Sequence, residues 1–120
     1  MSANSKVDGI MELHRFSEVR ADGKSYVEFL RTGKLSAGVY RLPAGATDPQ
    51  QPHGEEEIYY VVSGHARFRS GESDLAVAPG DILFVPAREA HQFHQITDAL
   101  EVLVFFAPPE GSRKLVTALE

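Results

Sequence analysis

The sequence predicts an all-β protein, folded as a single domain in the form of a sandwich or a barrel. Glycine and proline punctuate the chain at short intervals, in stretches such as DGK, TGK, PAGATDPQQP, SGES and APGD. Between them lie short segments rich in Val, Tyr, Phe, Leu and Ile, several of which alternate apolar and polar residues. Short alternating segments between turn signals are typical of strands in sandwiches and barrels. The one helix we expect is short and lies in the last residues, SRKLVTALE.

Length and composition limit both the architecture and the chemistry. A chain of 120 residues is enough for one domain, so we expect a single domain over residues 1–120, with a barrel core over residues 25–108 and a flexible start over residues 1–6. The net charge is -5 and basic residues are not clustered, which argues against a nucleic-acid or membrane partner. The start MSANSKVDG lacks an apolar signal core, so a cytoplasmic setting is expected. The chain has no cysteine, so any metal site must use histidine, carboxylate or amide ligands.

The predicted strands follow one another along the chain as SYVEFL, LSAGVYRL, EIYYVVSG, ARFRS, DLAVA, DILFVP, HQFHQI and LEVLVFFAP. The segment ARFRS shows the local reasoning. Ala66 and Phe68 share one face of a strand, while Arg67 and Arg69 share the other, because strand side chains alternate. The turn signals SGHA and SGES on either side indicate a hairpin or meander with one packed face and one solvated face.

Polar residues with metal-binding side chains precede one of these strands, in DPQQPHGEEEIYYVVSG. Its prolines disfavour a helix, so the segment should be extended. In an extended chain Gln51 and His53 lie on one face, and Glu57 shares that face if the extension continues. Tyr59 and Val61 follow on the same face as barrel lining. A helical pairing of His53 with Glu57 is disfavoured, because the β-branched and aromatic run IYYVVSG comes next.

A second polar insertion follows in PGDILFVPAREAHQF. The predicted strand over 82–85 is stopped by Pro86, and His91 opens the next strand after a turn. Phe93 shares the face of His91. A histidine at the start of an apolar strand is a further group that a metal site could use.

Together these two segments resemble the paired motifs of the cupin superfamily. The first family motif is G-x5-H-x-H-x3-4-E-x6-G and the second is G-x5-P-x-G-x2-H-x3-N. The spacing in this chain agrees at every motif position; these are Gly45, Gln51, His53, Glu57, Gly64, Gly80, Pro86, Arg88, His91 and Gln95. Three of these residues depart from the pattern in type, since Gln51, Arg88 and Gln95 stand where the family has His, Gly and Asn.

The resemblance implies a double-stranded β-helix, the RmlC-like jelly-roll barrel. It also implies a divalent transition metal (Fe, Mn, Ni, Co or Zn) held by Gln51, His53, Glu57 and His91. Two imidazoles and one carboxylate form a facial ligand group that leaves positions open for a substrate or O2. The amide oxygen of Gln51 would be a neutral fourth ligand, weaker than imidazole.

From this site we predict a metal-dependent enzyme acting on a small oxygenated molecule, anionic or carbonyl, by dioxygenase or isomerase/lyase chemistry. The alternative is a non-catalytic module that binds a small molecule. Glu57 and Tyr59 are the catalytic candidates, and Tyr59, Arg41 and Phe93 are expected to line the pocket. For Arg41 a salt-bridged surface position stays open, as does plain core packing for Tyr59. A homodimer is expected, with the segments GIMELHRF and SYVEFL supplying its contact.

Overall fold

The computed structural model describes residues 5–7, 11–50 and 52–112. Within these ranges the chain forms eight β-strands and one short 3-10 helix, which confirms the all-β prediction. The strands are β1 (Ser5–Val7), β2 (Met11–Leu13), β3 (Tyr26–Arg31), β4 (Ser36–Leu42), β5 (Glu56–Ser70), β6 (Ser73–Val77), β7 (Ile82–Val85) and β8 (His91–Ala107); the 3-10 helix is Phe16–Glu18.

The sheet is organised around two long antiparallel strands, β5 and β8. Strands β3 to β8 form one sheet in the order β3-β4-β8-β5-β6, with β7 also paired to β5, while β1 and β2 pair separately. The β5–β8 register shifts three times between Val61 and Arg67. Such irregularities bend a strand. The long strands β5 and β8 can therefore curve and pair with different neighbours along their length. The result is the predicted jelly-roll barrel.

Alternation along β5 separates the barrel interior from the outer surface. Tyr59 and Val61 are completely buried, whereas Ile58 and Tyr60 remain 41% and 39% exposed. The interior residues belong to one apolar cluster; its members are Tyr40, Leu42, Tyr59, Val61, Ala66, Phe68, Val77, Val85, Phe93, Ile96, Leu100, Val102, Val104 and Phe106. The inward position predicted for Tyr59 and Val61 is therefore confirmed.

The hairpin predicted around ARFRS is formed by β5 and β6. Phe68 pairs with Leu75 across the two strands, and Phe68 is buried. Arg67 lies on the opposite face, where its Nε donates to Asp74 Oδ1 at 3.0 Å. The packed and solvated faces are those that alternation predicts.

Gly64, the last glycine of the first motif, lies at a point where β5 packs closely against the backbone of β8. Its φ is +96°, and a Cβ at this position would lie 2.6 Å from Leu100 Cα and still closer to the Ala99 carbonyl oxygen. Gly80, the first glycine of the second motif, has nearly the same φ of +95° but open space around it. Both backbones need a residue that tolerates positive φ, but only Gly64 is also constrained by close packing.

Two predicted features lie largely outside the described residues. The C-terminal helix expected in SRKLVTALE falls almost entirely in the undescribed range 113–120. Of the start expected to be flexible, residues 1–4 are undescribed, whereas Ser5 and Lys6 belong to β1. No helix in the described part of the chain has the length and hydropathy to cross a membrane.

Candidate metal centre

Three of the four predicted metal ligands converge at one end of the barrel. His53 lies in the loop before β5, Glu57 lies on β5, and His91 is the first residue of β8. The Nε2 atoms of both histidines are 3.0 Å from the same carboxylate atom, Glu57 Oε1. One ligand atom from each residue falls within 4.8 Å of the other two, a grouping that could hold an ion. The backbone brings His53 close to His91, because the N–H of Arg88 in the turn before β8 donates to the His53 carbonyl at 2.6 Å.

Hydrogen bonds fix the orientation of both imidazole rings. His53 Nδ1 is 3.1 Å from the Glu55 carbonyl oxygen, and His91 Nδ1 is 2.8 Å from the Glu89 carbonyl oxygen. A carbonyl can only accept, so each Nδ1 carries a proton and donates it. In the neutral ring, Nε2 then bears the lone pair, and it faces Glu57. Metal-binding histidines are commonly held in this way, so the donor set fits a divalent cation.

The site keeps its carboxylate charged despite burial. Burial opposes ionisation of Glu57, which is 1% exposed, but hydrogen bonds involving His53, His91 and Tyr59 outweigh it and lower the Glu57 pKa. Burial likewise opposes the His53 imidazolium, but the hydrogen bond and charge of Glu57 outweigh it and raise the His53 pKa. A bound cation would therefore compete with protons for the same nitrogen atoms.

The fourth predicted ligand, Gln51, lies outside the described residues, and its neighbour Gln50 contributes an amide to the site. Gln50 Oε1 accepts a hydrogen bond from the Tyr59 hydroxyl at 2.9 Å and lies 3.2 Å from His91 Nε2. Gln50 Nε2 donates to Asp48 Oδ2 at 2.9 Å. Motif spacing does not indicate Gln50 or Asp48, because it assigns the ligand position to Gln51.

A cavity of about 440 Å³ opens beside these residues. Its wall combines aromatic, acidic and amide side chains with no lysine or arginine among the described residues; the lining is Tyr26, Tyr40, Pro49, Gln50, Pro52, His53, Glu55, Glu57, Tyr59, Val104, Phe106, Glu110 and Gly111. Burial is the main cause of a raised pKa at Tyr26, Tyr40 and Tyr59. These three phenols are therefore neutral hydrogen-bonding groups near neutral pH.

Of the three predicted pocket residues, only Tyr59 is among the described residues that line the cavity. Phe93 is completely buried behind it, with its ring centroid 5.0 Å from that of Tyr59, so it supports the wall and does not line it.

Arg41 lies on the outer face of β4, which corrects the pocket position expected from the sequence. Its neighbours Tyr40 and Leu42 face the core, so alternation turns Arg41 outward. Its Nε donates to Glu101 Oε2 at 2.8 Å, and its guanidinium carbon lies 5.4 Å from the centre of the Phe16 ring. The salt-bridged alternative considered for Arg41 is the one that the structure supports.

A barrel of this topology, with two histidines and a glutamate gathered at one end, is characteristic of cupins. The sequence matches the cupin domain family over residues 38–107, which is more than half of the chain. The chain belongs to this family.

Similar proteins differ widely in how much of this chain they match. An uncharacterised protein of Streptomyces coelicolor is 47% identical over 95 residues, which cover 79% of this chain and 90% of that protein. The dimethylsulfoniopropionate lyase DddQ of Ruegeria pomeroyi is 38% identical over 58 residues, 48% of this chain but only 29% of the lyase. The crystal structure of that lyase superposes with a TM-score of 0.63 at 29% identity, covering 72% of this chain and 44% of the lyase chain. The structure of TT1209 from Thermus thermophilus superposes with a TM-score of 0.71 at 24% identity, covering 82% of this chain and 99% of that one.

Proposed function

We propose that this cupin is a metal-dependent enzyme acting on a small oxygenated molecule, with His53, Glu57 and His91 holding a divalent transition metal. The observation that carries the proposal is the orientation of the two imidazoles. Each donates its Nδ1–H to a backbone carbonyl and directs Nε2 towards the Glu57 carboxylate. Nitrogen and oxygen donors in this combination suit Fe, Mn, Ni, Co or Zn.

Isomerase or lyase chemistry fits the cavity better than dioxygenase chemistry. When bound, the ion would act as a Lewis acid that polarises a carbonyl or carboxylate of the substrate. The wall around the site supplies the carboxylates of Glu55 and Glu110, which can move or hold protons, and the neutral Tyr26 hydroxyl, which can donate a hydrogen bond. General acid and base groups of this kind are what proton abstraction and elimination require. The partial similarity to a dimethylsulfoniopropionate lyase points in the same direction.

Among the tyrosines, Tyr26 is the best candidate to contact substrate. Its hydroxyl is buried and has no hydrogen-bond partner within the described residues, so it can donate to an oxygen of a bound molecule. The Tyr59 hydroxyl already donates to Gln50. Tyr59, predicted as a catalytic candidate, is therefore assigned to orienting the Gln50 amide beside the metal site. Glu57, the other candidate, is assigned to binding the metal.

Charge narrows the class of substrate. Glu55, Glu57 and Glu110 line the cavity, and the described lining holds His53 but no lysine or arginine to balance their charge. A metal bound by one carboxylate still attracts an anionic oxygen. The rest of the molecule faces an acidic and aromatic wall, which favours an uncharged or cationic group there. We therefore expect a substrate with an oxygen donor at one end and no second anionic group.

The homodimer and the cytoplasmic setting predicted from the sequence stay predictions. The segment expected to form the dimer contact includes β2, where Met11 and Leu13 are 62% and 43% exposed.

Metal analysis tests the proposal directly. The protein should be purified without chelators or a nickel column, beside the double variant His53→Ala/His91→Ala. We expect near-stoichiometric metal in the wild type and none in the variant, with the fold retained by circular dichroism. A wild type that takes up no metal, even on titration, would contradict the proposal.

The reaction class is tested on the loaded protein. Candidate substrates should be screened for product formation with O2 consumption followed in parallel. Turnover without O2 consumption, reduced in Tyr26→Phe, is the expected result. O2 consumption that matches turnover would favour dioxygenase chemistry instead. Ligand-induced thermal stabilisation with no turnover would favour the non-catalytic binding module.

A further inference from the structure

The orientation of the Gln50 amide can be assigned from its hydrogen bonds. One end of the amide lies 2.9 Å from Asp48 Oδ2, and a carboxylate oxygen can only accept, so this end is the NH2 group. The other end is then the oxygen, which accepts from the Tyr59 hydroxyl and faces His91 Nε2. An amide oxygen has two lone pairs, so the bond from Tyr59 leaves one of them for another partner.

Asp48 is built to hold that amide. It is 1% exposed, and its carboxylate accepts from the Tyr40 hydroxyl, from the Phe93 backbone N–H at 2.9 Å and from Gln50. Its own carbonyl oxygen accepts from the Gln92 side chain at 2.8 Å. Hydrogen bonds from Tyr40 in β4 and Phe93 in β8 hold the Asp48 carboxylate in place. If the Gln50 amide turned over, it would lose its hydrogen bond to Asp48.

Three lone-pair atoms meet at the site. His91 Nε2 is 3.0 Å from Glu57 Oε1 and 3.2 Å from Gln50 Oε1, and the Nδ1 proton of His91 is already committed to the Glu89 carbonyl. These three atoms lie close enough together for one positive charge to interact with all of them. A divalent cation is a charge of that kind, and it accepts imidazole nitrogen, carboxylate oxygen and amide oxygen as ligands.

We propose that Gln50, and not the motif residue Gln51, supplies the neutral oxygen ligand of the metal centre, and that Asp48 is the residue that positions it. The inference rests on the metal site proposed above. It extends that site to four groups, His53, Glu57, His91 and Gln50. It also assigns a function to a buried carboxylate that the family motif leaves unassigned.

The adjacent glutamines supply their own matched control. Metal-stripped wild type, Gln50→Ala and Gln51→Ala should each be titrated with Co²⁺, with affinity measured by calorimetry and ligand geometry by the visible absorption spectrum. We expect Gln50→Ala to bind Co²⁺ roughly tenfold or more weakly with an altered spectrum, by analogy with the 10- to 100-fold losses on removing groups that support metal ligands. Gln51→Ala should match the wild type in both measurements.

Asp48→Asn tests the positioning function, because an asparagine can offer its own NH2 group to Gln50 and turn the amide over. We expect a loss of Co²⁺ affinity similar to that of Gln50→Ala. The double variant should bind no more weakly than Gln50→Ala alone, since Asp48 acts through Gln50. Losses that add in the double variant would mean that Asp48 is only structural, which would overturn its assignment. If Asp48→Asn does not fold, the two glutamine variants still decide the ligand.

The remaining outcomes separate this inference from the proposed function. A loss in Gln51→Ala with none in Gln50→Ala would restore the ligand predicted from the motif. Wild-type affinity in both variants would mean that neither amide binds the ion. Either result overturns the inference while leaving the metal site intact. A wild type that binds no Co²⁺ would overturn both.

Discussion

Replacing Gly64 by alanine tests how closely β5 and β8 must approach for the barrel to close. The substitution has two costs that the structure separates. Alanine at φ +96° is strained, which costs roughly 1–2 kcal/mol for an L-residue in the left-handed region. The new Cβ would also lie 2.6 Å from Leu100 Cα, whereas ordinary van der Waals contact begins at 3.4 Å. The obstructing atoms are backbone, so β8 itself must move, and overpacking of this kind costs about 1–3 kcal/mol.

Gly80→Ala is the matched control, because it has the same strain without the collision. Its φ is +95°, and apart from the adjacent residues of the chain no heavy atom of the described residues lies within 4 Å of the point that an alanine Cβ would occupy there. We therefore expect Gly80→Ala to lose about 1–2 kcal/mol and Gly64→Ala about 2–5 kcal/mol. In urea unfolding with a slope of about 2 kcal/mol/M, the midpoint of Gly64→Ala should lie about 1 M below that of Gly80→Ala. Equal midpoints would refute the close approach of β5 and β8.

Three further predictions address acid stability, the core and assembly. Hydrogen bonds from Arg41 and Ser63 lower the pKa of Glu101 in the folded protein. The ionised Glu101 therefore stabilises the fold at pH values above the ordinary glutamate pKa, and this stabilisation is lost as the pH falls through the lowered value. The melting temperature of Glu101→Gln should therefore lie below that of the wild type near neutral pH and converge with it in acid; a constant difference would contradict the linkage. Phe93→Ala should reduce the free energy of unfolding by about 3–5 kcal/mol, because its ring is fully buried, and a loss under about 1 kcal/mol would contradict this packing. If the predicted dimer uses β2, Met11→Glu/Leu13→Glu should give a monomeric mass by light scattering, and an unchanged dimer mass would place the contact elsewhere.

Local pattern is sufficient for the strands and for much of the site. The turn signals and alternating segments predict the strand segments within β3 to β8, and alternation places Tyr59 and Val61 in the interior. The turn predicted at SGHA was wrong, because β5 continues through it, and the segments HQFHQI and LEVLVFFAP join in the one strand β8. The spacing of the motifs selects His53, Glu57 and His91, which the structure brings together. The strand predictions succeed because strand periodicity is a property of a few neighbouring residues. The metal-binding function of the three grouped residues stays a prediction.

Two pocket residues show where local pattern is not sufficient. Arg41 is expected in the pocket because it precedes the loop that carries the candidate metal site, yet its immediate neighbours Tyr40 and Leu42 both face the core. Phe93 has the correct parity but lies deeper than the cavity, against Tyr59. Alternation along a strand predicts which face a side chain is on. It does not predict how deep in the barrel that side chain lies.

By itself the sequence determined the all-β fold, the cupin motifs and the three residues that group as a candidate metal site, because composition, period and spacing are carried by the chain directly. Only the tertiary structure decided how the side chains around that site are oriented. The contacts of Gln50 with Asp48, Tyr59 and His91 join residues up to 41 positions apart. They depend on how β5 and β8 bend and on the loop that precedes β5. Such contacts form only when the whole barrel closes, so no local pattern predicts the contacts that Gln50 makes.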